Sequence, residues 1–237
     1  MTISRRHFLA QSLALLASPS ALASMTHLIL LGDSIFDNGS YTNGKPDVIA
    51  QVRGILPPAW KASLLAVDGA TTAGIDAQLA RLPANASHLV MSIGGNDALA
   101  SQHILKAQVR TTAEALALLS RAAAEFETGY RRAVSACLKR DLPLAVCTIY
   151  NGNFPDRAYQ QQVTTALTVF NDVIIRVAAE NGLPVLELRQ ICTKPEDYAN
   201  PIEPSSIGGA KIAAAIVRLV TEPAAARRRG AFISGAT

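Results

Sequence analysis

Aromatic and charged residues are both thin in this chain, at 5% and 17% against 49% hydrophobic. So little charge beside so much apolar surface excludes a disordered chain, and 237 residues suffice for one domain with a sizeable core. Cysteine is scarce too. Cys137, Cys147 and Cys192 cannot all pair with one another and form no CxxC spacing, which leaves neither a disulfide framework nor a zinc site. Each is expected to act as a small core residue. Basic charge is missing where nucleic acid would need it. Arg5, Arg6, Arg227, Arg228 and Arg229 sit at the two ends; taking those five from the 22 basic residues leaves 17 against 18 acidic ones, a net −1. No basic stripe remains to grip a phosphate backbone. No apolar run makes a stable membrane span either, because Gln11, Ser12, Ser18 and Pro19 interrupt the longest one near the N-terminus.

That N-terminal stretch has another meaning. Ser4-Arg5-Arg6-His7-Phe8-Leu9 places paired arginines before the apolar Phe8–Leu16, and small residues follow at Ala21-Leu22-Ala23. Charged start, apolar middle and small residues before a cut are the parts of a secretory signal, and the twin arginine points to export in the folded state. Residues 1–23 are therefore expected to be a Tat-type signal that delivers a periplasmic or secreted protein. The other reading is a cytoplasmic protein that starts at Met25. Residues 24–222 form the expected domain, and 223–237, rich in Ala, Arg and Gly without periodicity, a mobile tail.

Within the domain, five short apolar runs alternate with helical patterns: His27–Leu31, about Ala62–Val67, Leu89–Ile93, Leu144–Ile149 and Pro184–Leu188. Unbroken apolar runs bounded by turn residues suit strands buried on both faces of a parallel sheet. Leu119, Ala122, Phe126, Tyr130, Val134 and Cys137 recur at helical spacing, as does the stretch from Arg157 to Glu180, which stops at Asn181-Gly182. Ser206 to Val220 makes a last helix. The expected fold is a doubly wound, three-layer α/β/α sandwich around a five-stranded parallel sheet. In such folds ligands gather at the carboxyl ends of the strands, where each run here meets a Gly-, Asn- or Asp-bearing loop.

Gly32-Asp33-Ser34-Ile35 follows the first strand. A serine just after a strand, with glycine allowing a tight turn, stands exposed at the sheet edge; the plainer reading is a turn in which Ser34 caps the next helix. Gly69 offers an unshielded backbone N–H after the second strand, and Asn96 an amide after the third. With the Ser34 N–H they would form a three-donor oxyanion hole, in which each donor contributes about 3–4 kcal/mol to an acyl-transfer transition state. Asp33 and Asp97, beside these residues, and Tyr150, Asn153 and Phe154, after the fourth strand, are further candidates to contact a substrate. For Tyr150 and Phe154 the alternative is a plain cover over the core.

Taken together, Gly32-Asp33-Ser34, Gly69, Gly94-Gly95-Asn96-Asp97 and Pro201-x-x-Pro204-Ser205-x-x-Gly208 resemble the successive blocks of the SGNH/GDSL hydrolase family, in an order that covers nearly all of residues 26–220. The resemblance implies a flavodoxin-like SGNH fold and a Ser34 nucleophile with Gly69 and Asn96 as oxyanion donors. It also implies action on a small-molecule, glycan or lipid ester without metal or cofactor. The last block departs from the family pattern. Where the family carries Asp-x-x-His, this chain has Asn200-Pro201-Ile202-Glu203, so Glu203 stands in the base position and Asn200 in that of its orienter. No other histidine takes the place: His7 lies in the signal, His27 and His88 at strand starts on the far edge, and His103 near a helix.

Glu203 serves as a base only if its pKa rises towards neutrality, through burial or through the nearby Asp33 or Asp97. Losing the base of a serine triad costs about 10⁶ in turnover. Three readings therefore stand: an esterase or deacylase with a Ser34–Glu203 dyad, a non-catalytic acyl- or carbohydrate-binding protein, or a hard-cation site built from Asp33, Asp97 and Glu203.

Overall fold

The structure, a computed structural model, describes residues 25–222. The expected signal (1–23) and tail (223–237) lie outside the described residues. Five strands, β1 (Thr26–Gly32), β2 (Trp60–Leu64), β3 (His88–Ser92), β4 (Leu144–Cys147) and β5 (Val185–Leu186), form one parallel sheet in the order β2-β1-β3-β4-β5. The helices are α1 (Val48–Ile55), α2 (Ile75–Leu79), α3 (Gly95–Ala100), α4 (Thr112–Leu138), α5 (Arg157–Glu180), α6 (Leu188–Ile191) and α7 (Ser206–Thr221). The chain is thus the three-layer α/β/α sandwich that the alternation of runs implies.

Side chains of a strand alternate between its faces, so a strand covered on both sides must be apolar throughout. In β1, Ile29 and Leu31 join the core under α2, α4 and α5, while Leu28 and Leu30 join the core under α1 and α7. All four are fully buried. At α4 the helical stripe is the expected one, with Ala122, Phe126, Tyr130, Val134 and Cys137 buried against the sheet. All three cysteines are buried and free, and they serve as core residues.

Three strands differ from the sequence pattern by two or more residues at an end, β4 simply by ending at Cys147 rather than Ile149. The second begins earlier and ends at Leu64, because Leu65 N and Ala66 N both donate to Leu30 O, and a doubled bond breaks the register. The fifth holds only Val185 and Leu186, because the Glu187 carboxylate accepts from Arg189 N and starts α6 at Leu188. Pro184 and Leu188 are not strand residues.

The strand order reverses between β1 and β3, and the loops leaving these two neighbours diverge there. At their ends the backbones approach closely. Gly32 has φ of +130°, and a Cβ at this position would stand 1.7 Å from Ser92 O, so only glycine fits. Buried Gln78 of α2 clamps the same residue, accepting from Gly32 N at 2.8 Å and donating to Gly32 O at 2.7 Å. Gln78→Ala strands a buried donor of the main chain; we expect a loss of about 2–4 kcal/mol in urea unfolding, with the far-UV CD spectrum unchanged.

Candidate active site

The turn after β1 is tied back on itself. Phe36 N and Asp37 N donate to Asp33 O, and Ile35 N donates to Asp33 Oδ1 at 3.1 Å. Asp33, rather than Ser34, caps the turn, which leaves the Ser34 hydroxyl free for another partner. That partner comes from 169 residues away: Ser34 Oγ donates to Glu203 Oε1 at 3.0 Å, with both residues buried.

Glu203 is held through its backbone. Asn200 Oδ1 accepts from Ile202 N and Glu203 N, each at 2.9 Å, and Glu203 O accepts from Ala199 N. Tyr150 Oη donates to Ile202 O at 2.6 Å, and buried Asn38 donates to Pro204 O while accepting from Val48 N at the start of α1. Asn200 therefore shapes the turn and does not touch the Glu203 carboxylate, contrary to the orienting role expected of its position. The second carboxylate oxygen, Oε2, is buried with no hydrogen-bond partner among the described residues.

The loops after β2 and β3 are braced together beside Ser34. Asn96 Nδ2 donates to Ala70 O at 2.9 Å, which fixes the plane of the amide. Asp97 accepts from Thr72 N at 3.0 Å and from Thr72 Oγ1 at 2.7 Å. Expected beside a substrate, Asp97 is thus a brace, and it lines no part of the cavity described below. Gly69, with φ of +76°, has open space where a side chain would stand. Neither Gly69 N–H nor Ser34 N–H meets an acceptor among the described residues.

A cavity of about 930 Å³, its open mouth included, begins at Asp33, Ser34, Asn96 and Glu203 and runs between the segment 95–105 and α5. Tyr150 and Phe154 line it, as their place after β4 suggests. Asn153 does not: it is exposed, and its backbone N donates to Pro201 O. Gly69 stands off the cavity wall. His27 is buried against Ser63 and Asn85 at the far edge, His88 is half-buried at the start of β3, and exposed His103 does not line the cavity, so no histidine among the described residues meets Ser34.

Burial governs the electrostatics. Removal from water lifts the Glu203 carboxyl to about 7, against the lowering effect of the Ser34 hydrogen bond, and the charge of Asp68 adds to the rise. Burial lifts Asp33 to about 8; the Ile35 N–H opposes this, and the charges of Glu203 and Asp97 reinforce it. The hard-cation reading fails on placement: with Asp97 turned to Thr72, no group of three or more His, Cys, Asp or Glu is gathered around one point among the described residues.

The sequence stripe gave no sign of two contributors. Gln78, to which the sequence assigns no role, fixes the end of β1. Half of the α5 stripe, read as packing on the sheet, lines the cavity through Val163, Ala166 and Leu167.

This geometry, a serine turn after β1 facing loops from β2 and β3 at the switch point of a parallel sheet, belongs to a known class. Residues 30–208 match the GDSL-like Lipase/Acylhydrolase family, and the chain belongs to that family. Among solved structures, it is similar to an extracellular lipase from Streptomyces rimosus, with a TM-score of 0.60 and 17% identity over 83% of this chain and 100% of that one. It is similar also to phospholipase A1 from Streptomyces albidoflavus NA297, with a TM-score of 0.61 and 19% identity over 84% and 100%. An aryl esterase of M. smegmatis matches with a TM-score of 0.59 and 12% identity over 82% and 98%. These likenesses establish the SGNH hydrolase fold. No curated protein sequence matches the chain.

The raised Asp33 carboxyl makes a stability prediction. Folding lifts its pKa from 3.8 to about 8, so between these values the folded chain keeps a proton that the unfolded chain sheds. Stability is therefore whole below the lower value and lost as pH rises through the upper one, on the order of 5 kcal/mol once both states are ionised. Asp33→Asn removes this term. Urea midpoints measured from pH 5 to pH 9 should fall more steeply for wild type than for the variant, and parallel slopes would show that Asp33 ionises as an ordinary carboxylate.

Proposed function

We propose that the protein is a serine hydrolase of carboxylic esters in which Ser34 attacks the acyl carbon and Glu203 takes the place of the usual histidine. The observation that carries this reading is the 3.0 Å hydrogen bond from Ser34 Oγ to a buried carboxylate. An ordinary carboxylate is a poor acceptor for a hydroxyl proton, but one lifted to about 7 is matched to work near neutral pH.

In the first step Ser34 Oγ bonds to the acyl carbon and its proton passes to Glu203 Oε1. The negative charge gathers on the former carbonyl oxygen, facing the Ser34 N–H and the Asn96 amide, which both line the cavity. These donors are held by backbone turns and by the Ala70 carbonyl, so they need little reorganisation as charge develops. Protonated Glu203 then delivers the proton to the leaving alcohol oxygen as the ester C–O bond breaks. The acyl-enzyme is cleared by water, whose proton Glu203 accepts and returns to Ser34 Oγ. A base that is a carboxylate needs no anion behind it, which agrees with the neutral Asn200 in the turn.

Turnover of p-nitrophenyl esters tests the reading. Ser34→Ala should lose at least 10⁴-fold in kcat and Glu203→Gln about 10²–10⁴-fold. Because the ionised carboxylate is the working form, wild-type kcat/KM should rise with pH through about 7 and level off above it. Glu203→Gln at wild-type activity, or Glu203→His as the only active form, would end the proposal.

The twin-arginine segment supports an exported enzyme. Replacing Arg5 and Arg6 by lysine should hold the protein in the cytoplasm, as read by cell fractionation; unchanged export would refute the Tat route.

A further inference from the structure

The cavity is lopsided. Its two carboxyl groups, Asp33 and Glu203, stand with Ser34 and Asn96 at one end. Away from them the walls are Leu99, Ile104 and Leu105 on one side, and Val163, Ala166 and Leu167 of α5 on the other. None of these six side chains has a hydrogen-bonding group; Ser101, Gln102 and Tyr159 add polar groups on the same walls, whose surface is otherwise mostly carbon.

The direction of the cavity is set by α5. At its inner end, Phe170 packs on Phe126 with ring centroids 5.3 Å apart, and the Phe126 ring lies against Gly94, two residues before Asn96. At its outer end Tyr159 meets Phe154 edge-on at 5.0 Å, and its hydroxyl reaches towards Gln102 Oε1 at 3.5 Å, across to the opposite wall. Both Tyr159 and Phe170 line the cavity, and they lie eleven positions apart, about 16 Å along the helix axis. The pocket therefore leads away from Ser34 as a long apolar groove between two walls, far deeper than an acetyl group fills.

From this shape we infer that the substrate is a medium-chain carboxylic ester whose acyl tail lies between segment 99–105 and α5; this rests on the proposed Ser34 hydrolase. A sugar ring in the same space would lose its hydrogen bonds to water and find only the scattered polar groups of Ser101, Gln102, Asn151 and Tyr159 on otherwise apolar walls. An acyl tail loses none and gains about fourfold in binding for each methylene buried, equivalent to about 0.8 kcal/mol. Ala166 sets the bore, because its methyl is the smallest side chain on the α5 wall.

The test compares p-nitrophenyl acetate with p-nitrophenyl octanoate. Wild type should favour octanoate at least 100-fold in kcat/KM. Ala166→Phe should reduce that ratio at least tenfold, while Leu116→Phe, on the exposed face of α4, should leave it in place. A ratio of one or less, or an acetylated sugar turned over faster than octanoate, overturns the acyl groove and leaves the hydrolase reading intact. If neither ester is hydrolysed, the hydrolase reading falls, and calorimetry on Ser34→Ala decides the groove. Ethyl octanoate should then bind at least tenfold more tightly than ethyl acetate, and equal binding would overturn the groove as well.

Discussion

Everything at the strand ends depends on the approach of two backbones, β1 at Gly32 and β3 at Ser92. With no side chain at residue 32, the strands run side by side to their last residue, and Asp33 N still donates to Ser92 O beyond the ladder. The next residues must then turn sharply, and the turn sets the hydroxyl of Ser34 towards the loop before α7. Gln78 locks this corner from below by satisfying both polar groups of Gly32. The serine is thus positioned by main-chain geometry under a packed sheet, and its placement tolerates little thermal drift.

The carboxylates here are costly to keep. Ion pairs among the described residues lie elsewhere, notably Arg131 and Arg176 with Glu127, Glu180 and Asp172, which join α4 to α5. None of these pairs involves Asp33 or Glu203. Burial holds both carboxyls towards neutrality, helped by the charges of Glu203 and Asp97 at Asp33 and of Asp68 at Glu203, so folding works against their ionisation. Strain of this kind is what a carboxylate needs to accept a proton at neutral pH, and the stability of the two cores bears it.

Much of this was legible in the sequence. Apolar runs marked all five strands, most plainly the central β1, β3 and β4, because a strand covered on both faces leaves its mark at nearly every position. Helices α4, α5 and α7 announced themselves by spacing and caps. The meeting of Ser34 with residue 203 was implied by the family resemblance, which puts position 203 in the place of the base, on a loop at the same sheet edge. What escaped was contact made by single polar side chains. Nothing in the pattern around Gln78 distinguishes a clamp from a surface residue, and Asp97 beside Asn96 looked like a second contact with substrate until its bonds to Thr72 were seen. The groove escaped for a related reason: an apolar stripe has the same spacing whether it meets a sheet or faces an empty channel, as Val163, Ala166 and Leu167 do.

The turn around Asn200 has a consequence for how such a site changes over time. Its shape is set by main-chain bonds to Asn200, Tyr150 and Asn38, none of which involves the side chain at position 203. The socket and the part seated in it are therefore separate inheritances. The side chain at 203 can be exchanged without rebuilding the loop, so the chemistry of this corner is free to change while its architecture stays.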